Sequence, residues 1–219
     1  MKRVGLLVCI VLVATTACHS NFGRGNYGYV KSYQALDTHG VAVEPLKPGQ
    51  VPEIIYSNNF HRDYDELIAR AYVPVGNATF FGAVPNEYEA KYQAEAFGAS
   101  IGLFPAPNTQ ELYLNAIGTY FAKRADLPRI GIIFRDLFNE DKREMETNTG
   151  AVVKLVVEDT PAFNANILPG DVVIEIAEQR VRNSNTAYAL LEKVGAIKGS
   201  KVPIKLIRNK VEKVITIEF

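Results

Sequence analysis

The chain has 219 residues and a mass of 24.2 kDa, which predicts one or two domains. Its 24 Lys and Arg balance 24 Asp and Glu, so it lacks the positive excess typical of nucleic-acid-binding surfaces and polybasic membrane patches. Two Cys and three His form no close cluster of zinc ligands, and no Gly-rich phosphate loop follows a strand. We therefore expect no metal, no cofactor and no nucleic-acid partner.

Residues 1–17 have the composition of a secretory signal. Lys2 and Arg3 precede an apolar stretch over residues 4–14, and small residues follow up to Ala17. The apolar stretch is shorter than the roughly 20 residues that a membrane-spanning helix needs. We predict that residues 1–17 are a signal peptide that the mature protein lacks, rather than a buried helix.

Cys18 directly follows this segment, and the residues Thr16-Ala17-Cys18 resemble a bacterial lipobox, although Thr15 stands where that pattern usually has Leu. The resemblance implies that Cys18 is lipidated and anchors the protein in the cell envelope. His19 in place of Asp implies the periplasmic face of the outer membrane. Ordinary cleavage after Ala17, which gives a secreted or soluble periplasmic protein, is the alternative.

Residues 18–50 are rich in Gly and Pro and show no lasting helical or strand period, so we predict a flexible tether. Residues 51–124 follow as a small α/β module. A helix is predicted over residues 61–71, and a short strand over residues 71–75 whose proline favours a sheet edge. Residues 77–82 are predicted to form the neighbouring strand.

A second helix of this module is predicted to start with Pro85 in its first turn and to end before Gly98. Tyr88, Tyr92, Ala96 and Phe97 would lie on one side of this helix. A strand over residues 99–104 completes a βαβ-like unit, which loosely resembles a small domain of bacterial envelope lipoproteins. Residues 111–124 fit a strand or a helix.

Residues 125–219 have a mainly β pattern and are predicted to form a compact, partly open barrel with two helices. The helices are a single turn over residues 161–166 and a longer helix that starts near residue 184 and ends at Val194. The predicted strands cover residues 130–134, 150–157, 172–176, 201–208 and 211–219. The overall fold class is α+β, an α/β module followed by this domain.

The motifs in residues 150–181 resemble a PDZ domain of the bacterial HtrA-like type. Thr-Pro-Ala stands at 160–162, Leu-Pro-Gly-Asp at 168–171, and an apolar strand follows at 172–176. The turn chemistry supports the resemblance, because proline fixes φ, glycine permits positive φ, and Asp171 can accept hydrogen bonds from nearby backbone N–H groups. The likeness extends to Phe219.

The resemblance implies a peptide-binding function, in which a peptide or protein C-terminus adds a strand to a sheet edge beside a helix. The terminal carboxylate would meet backbone N–H groups in an apolar-Gly-apolar loop. The implied site residues are Ile130, Gly131 and Ile132 in the loop, Ile133 and Phe134 along the strand, and Tyr188 and Leu191 on the helix. Ile132 and Phe134 would face the pocket, with plain core packing as the alternative.

HtrA-like proteins carry a serine protease before the PDZ domain, but this chain contains no Gly-Asn-Ser-Gly-Gly motif, and Ser100 lies inside a predicted strand. The α/β half is also too short for that protease fold. We therefore expect a non-catalytic, membrane-anchored peptide-binding lipoprotein. One alternative is a protease-associated cofactor or an enzyme whose chemistry lies in residues 51–124. A purely structural envelope protein is the other. The charged segment from Asp136 to Glu146 would either cover the groove or form a solvated turn or short helix.

Overall fold

The computed structural model describes residues 29–81, 84–107, 116–194 and 199–219. These residues form two open sheets, one from each half of the chain, with helices packed on them. The predicted signal peptide, Cys18 and the first part of the predicted tether lie outside the described residues. No helix in the described ranges combines the length and the hydropathy that a membrane crossing requires.

The N-terminal module is a five-stranded sheet with the order β1-β3-β5-β4-β2. β2 runs parallel to β4, whereas β5 runs antiparallel to both β3 and β4. The predicted strand–helix–strand unit is present as β3–α2–β4, with β5 inserted between its two parallel strands. The bounds are β1 Tyr29–Ala35, β2 Glu53–Ser57, α1 Phe60–Ala69, β3 Tyr72–Phe81, α2 Glu87–Ala96, β4 Ile101–Pro105 and β5 Ala116–Lys123.

The two helices of this module cover opposite faces of its sheet. Consecutive strand residues point to opposite faces, and in β4 Leu103 belongs to the cluster under α1 while Phe104 belongs to the cluster under α2. α1 contributes Leu67 to its cluster, and α2 contributes Ala90 and Ala94. The module is therefore a three-layer α/β/α arrangement, which explains why every residue of β4 is buried.

The prediction of a tether over residues 18–50 is wrong for residues 29–35, because they form β1 and pair with β3. Tyr33 of this strand packs against the core cluster, and burial, with a smaller effect of the Glu89 charge, raises its pKa to about 12. Further along, Val43 bridges Arg124. The glycines that led to the tether prediction lie on either side of β1. This strand is stabilised by residues far away in the sequence, so the local composition does not reveal it.

Pro74 lies in an interior strand rather than at the predicted edge, since β3 has β1 on one side and β5 on the other. The ladder between β1 and β3 ends at the pair Ala35 and Gly76, so Pro74 lies beyond it and its missing N–H leaves no β1 partner unpaired. Residues 77–81 continue the same strand instead of forming a neighbour.

The side of α2 that carries Tyr88 and Tyr92 faces away from the sheet. Tyr88 and Tyr92 are 80% and 64% exposed, whereas Ala90 and Ala94 are fully buried. Small side chains on the inner face let the helix backbone approach the sheet closely, and the large rings are left outside. Pro85 precedes the N-cap residue Asn86 rather than lying in the first turn. Gly98 follows the C-cap with φ of +66°, as predicted.

The C-terminal module is a sheet with the order β11-β10-β8-β7-β6, with β9 paired to β8, and it stays open rather than closing into a barrel. The predicted strand over residues 172–176 and the final hairpin are confirmed. The bounds are β6 Ile132–Asp136, α3 Asn139–Glu144, β7 Ala151–Val156, α4 Pro161–Asn164, β8 Val172–Ile176, β9 Gln179–Arg180, α5 Ser184–Val194, β10 Lys201–Arg208 and β11 Val211–Glu218.

This module has three helices in its described residues rather than the predicted two, because part of the charged segment forms α3. Acidic residues lie in its first turn and Lys142 and Arg143 in its last, which complements the helix dipole. Arg135 of β6 holds the helix in place through an ion pair with Asp141 at 2.5 Å, and this hydrogen-bonded arginine lowers the pKa of Asp141.

Candidate functional site

β6 lies at the end of its sheet and has β7 as its only strand partner within the described chain. α5 lies beside β6. β5, the last strand of the N-terminal module, pairs with β3 and β4 and so does not cover the edge of β6. The sheet therefore presents one long edge of the strand next to a helix. This is the arrangement that strand addition requires.

The loop before β6 directs two backbone N–H groups away from α4 and the end of β7. The carbonyl of Ile130 accepts a hydrogen bond from the N–H of Ala162 at 3.0 Å, and the carbonyl of Gly131 accepts one from Val157 at 2.7 Å. In a planar trans peptide the following N–H points opposite to the carbonyl. The N–H groups of Gly131 and Ile132 therefore point away from Ala162 and Val157, which makes this loop a candidate anion nest.

Gly131 is required in this loop for two reasons. Its φ of +82° belongs to the left-handed region that side chains disfavour. An added Cβ would also lie 2.0 Å from the Oγ1 atom of Thr160. Thr160 is fully buried, donates to the carbonyl of Val157 at 2.6 Å and caps α4. The Thr-Pro-Ala motif thus packs directly against the loop.

The structure brings together the side chains predicted to line the pocket. Ile132, Phe134 and Leu191 belong to one cluster and are 8%, 7% and 3% exposed, with Ile130 packed against them. They fill the core of the module, so a ligand would reach only their outer edges. Ile133 points to the opposite face of β6, as strand alternation requires.

On that opposite face, a hollow of about 230 Å³ lies between the two modules. Among the described residues that line it, most are apolar and Arg124 alone is charged. The hollow borders the loop at Gly131, and residues of both modules lie beside the start of β6. The lining residues are Ile68, Tyr72, Val73, Arg124, Pro128, Gly131, Ile132, Ile133 and Val157.

Tyr188 of α5 contacts the edge of β6 directly. Its hydroxyl accepts a hydrogen bond from the N–H of Phe134 at 2.8 Å and lies 3.5 Å from the carbonyl oxygen of the same residue. The two rings pack edge to face with centroids 5.4 Å apart. Sequence reasoning predicted an aromatic wall here and missed the polar contact, since nothing in the local sequence places a hydroxyl against a strand 54 residues away.

Asp136 ties the end of β6 to the start of α5. Its Oδ1 atom accepts hydrogen bonds from the backbone N–H of Ser184 at 2.8 Å and from the Ser184 hydroxyl at 2.7 Å. These bonds favour the charged form and hold the pKa of Asp136 below its usual range. Sequence reasoning missed this contact too, because it assigned Asp136 to the charged segment after the predicted strand and Ser184 to the start of a helix 48 residues further on.

The Leu-Pro-Gly-Asp turn is held by a buried ion pair. Asp171 accepts the backbone N–H of Leu168 at 2.9 Å, which confirms the predicted backbone contact. Both of its carboxylate oxygens also pair with the Arg208 guanidinium at 2.6 Å. The described residues contain no cluster of His, Cys, Asp and Glu able to hold a metal ion.

The family model of the PDZ domain matches residues 128–219. These residues form a PDZ domain. The predicted resemblance is confirmed for the C-terminal half. The PDZ domain covers less than half of the chain, and the N-terminal module lies outside the match.

Solved structures similar to the chain include HtrA-type proteins. The HtrA3 PDZ domain bound to a phage-derived ligand shares 21% identity with a TM-score of 0.34, over 41% of this chain and 81% of that chain. The HtrA-type protease AlgW with a decapeptide shares 20% identity with a TM-score of 0.36, over 65% of this chain and 48% of that chain.

A serine endoprotease from Yersinia pestis shares 21% identity with a TM-score of 0.31, over 46% of this chain and 37% of that chain. The chain thus spans less than half of either protease. At these TM-scores the likenesses carry no further argument about this protein. No curated protein matches the chain.

Proposed function

We propose that this protein is a non-catalytic lipoprotein of the bacterial cell envelope that binds peptides or protein C-termini by strand addition to β6. The observation that carries the proposal is the pair of N–H groups at Gly131 and Ile132, directed away from Ala162 and Val157 at the start of an edge strand. A peptide carboxylate placed there would let the preceding residues run antiparallel to β6.

The charge around the loop favours a carboxylate ligand. Arg129 directly precedes the loop and is exposed, so it adds a positive charge where the peptide would end. Hydrogen bonds to a charged group contribute about 1.5–3 kcal/mol, more than neutral ones do. The free C-terminus, rather than an internal segment, is therefore the proposed ligand.

Placement in the envelope is supported by the N-terminal sequence. Lys2, Arg3 and the apolar segment favour export, and Cys18 favours a lipid anchor with the protein on the periplasmic face of the outer membrane. In the alternative, cleavage after Ala17 leaves a soluble protein. Replacing Cys18 by Ala should move a lipoprotein from the membrane fraction to the soluble fraction, whereas an unmodified N-terminus in the wild-type mass spectrum would refute the anchor.

The non-catalytic proposal is supported by the residues available for hydrolysis. A serine mechanism needs a nucleophile, an imidazole base and oxyanion donors in one place. The chain's histidines are at positions 19, 39 and 61, so the PDZ domain contains none. Purified protein should leave unfolded casein intact, and cleavage that disappears in His61→Ala would move the function into the N-terminal module.

The binding proposal is tested with two pools of hexapeptides that differ only at the C-terminus. The purified mature protein should retain the pool with free carboxylates at least about tenfold more tightly than the amidated pool, because amidation removes the charge-assisted bonds. Arg129→Gln should weaken binding, whereas Arg143→Gln on the exposed face of α3 should leave it unchanged. Equal binding of both pools would refute carboxylate recognition.

A further inference from the structure

The edge of β6 has a defined set of pairing positions. The N–H of Phe134 points toward α5, and strand alternation places the outward main-chain groups of Ile132 and Asp136 on the same edge. A peptide whose carboxylate lies at Gly131 would run antiparallel along this edge. Its terminal residue would pair near Ile132, and the residue two before it would face Phe134.

In the structure this second pairing position is already filled. The Tyr188 hydroxyl takes the Phe134 N–H at 2.8 Å and lies close to its carbonyl oxygen, so one phenol contacts the donor and the acceptor that a peptide residue would use. Beyond it, the Asp136 carboxylate bridges to Ser184 at the start of α5. Within the described residues, the pairing edge of β6 is therefore uncovered only near the loop.

We infer that Tyr188 determines which ligands the site accepts, by holding the Phe134 position until a peptide backbone replaces its hydroxyl. This inference rests on the proposed peptide-binding function. The ligand it selects has a free carboxylate, at least three residues, and a backbone N–H and C=O at the third residue from its end. A shorter carboxylate would reach the loop and leave Tyr188 in place.

Tyr188 is suited to this role by its exposure and its position. Its side chain is 43% exposed, so it can rotate into solvent without opening the core, whereas its neighbour Leu191 is buried. Displacement exchanges the 2.8 Å bond to the Phe134 N–H and the longer 3.5 Å bond to its carbonyl for the two hydrogen bonds of a peptide residue. Losing the hydroxyl's bond costs about 1 kcal/mol, close to a fivefold change in affinity.

The test compares wild type with Tyr188→Phe, which keeps the ring and removes the hydroxyl. The free-carboxylate hexapeptide pool should bind the variant about fivefold more tightly and associate faster. In the free variant the Phe134 amide should exchange with solvent faster than in wild type. Tyr92→Phe, which removes a hydroxyl from an exposed ring on α2, is the control and should bind as wild type does. Tyr188→Leu, a second variant, should also bind more tightly than wild type.

Each outcome bears on a different claim. Equal affinity of wild type and Tyr188→Phe overturns the selective role of Tyr188 and leaves peptide binding intact. Weaker binding by Tyr188→Phe also overturns it, because the hydroxyl then contacts the ligand. If neither protein binds any free-carboxylate peptide, the proposed function fails, and the inference fails with it.

Discussion

The backbone N–H of Glu158 donates a hydrogen bond at 2.8 Å to the carbonyl of Ala69, the last residue of α1 in the other module. The residue just before it, Val157, donates its own N–H to the carbonyl of Gly131. Two consecutive N–H groups thus connect the N-terminal module to the candidate anion nest. The N-terminal module braces the loop from behind, which gives that half of the chain a positioning role in the binding we propose.

A salt bridge between the modules offers a way to test this brace. Lys154 Nζ lies 2.9 Å from Asp65 Oδ1, and both side chains are partly exposed, so the pair contributes at most about 1 kcal/mol to stability. Asp65→Lys replaces the attraction with repulsion and should raise amide exchange at Val157 and Glu158, whose N–H groups donate to Gly131 and Ala69. Adding Lys154→Asp should restore the wild-type rates.

The control reverses the charge of Glu140, whose bridge to Arg143 lies on α3 and away from the junction. Glu140→Lys should leave the exchange of the Val157 and Glu158 amides unchanged. If Asp65→Lys also leaves it unchanged, the modules are not coupled through this contact.

Gly131 and Gly170 form a matched pair for measuring the contact beneath the loop. Both have positive φ, +82° and +92°, so an alanine at either position meets backbone strain of about 1–2 kcal/mol. Only at Gly131 does the added methyl meet Thr160, whereas at Gly170 no atom lies within 4 Å. Gly131→Ala should therefore lower the free energy of unfolding by about 1–3 kcal/mol more than Gly170→Ala does.

Chemical denaturation of both variants measures this difference directly. Equal losses of stability would show that the loop relaxes away from Thr160 and that sterics do not require glycine there. Peptide binding by Gly131→Ala, measured well below its unfolding midpoint, should also fall, because a displaced loop no longer directs both N–H groups to one point.

The ion pair between Asp171 and Arg208 should be a major contributor to the stability of the PDZ domain. Asp171 is 2% exposed, and the guanidinium contacts both of its oxygens. Asp171→Ala leaves a largely buried arginine unpaired and removes the acceptor of the Leu168 N–H. We expect a loss of about 3–5 kcal/mol in the free energy of unfolding.

An exposed pair on the same sheet is the control. Lys205 and Glu212 lie 2.9 Å apart across the final hairpin, with Glu212 59% exposed. Glu212→Ala should cost less than about 1 kcal/mol. A comparable loss in the two variants would mean that burial adds little to the Asp171 interaction.

The sequence predicts the PDZ half more closely than the N-terminal half, for a physical reason. Turn residues and strand alternation are local signals, and they locate β8, the turn before it and the final hairpin. β1 has no such signal, because its stability comes from pairing with β3 and from the burial of Tyr33. In α2 the pattern of large side chains does not mark the buried face, because close packing on the sheet requires Ala90 and Ala94 and leaves the tyrosine rings outside.

Within the candidate site, the sequence identifies the loop and the walls but not their polar contacts. The Gly131 position follows from an apolar-Gly-apolar pattern. The hydroxyl of Tyr188 meets Phe134 across 54 residues, and Asp136 meets Ser184 across 48. Only the relative placement of β6 and α5 determines those contacts, and local periodicity carries no information on that placement.

The link between Asp136 and Ser184 should respond to acid. The pKa of Asp136 is lowered in the folded protein by its bonds to Ser184, so its stabilising effect is complete above the ordinary Asp value of about 3.9. The effect is lost as the pH falls through the lowered folded value. The Ser184 amide signal in NMR spectra should therefore titrate below about pH 4, and its exchange should accelerate as α5 loosens from β6.

In Asp136→Asn, whose amide oxygen still accepts the bond but does not ionise, this titration should disappear. Asp141→Asn is the matched control, since the pKa of Asp141 is also lowered but its partner is Arg135. A Ser184 signal that titrates identically in Asp136→Asn would show that another acid controls the start of α5.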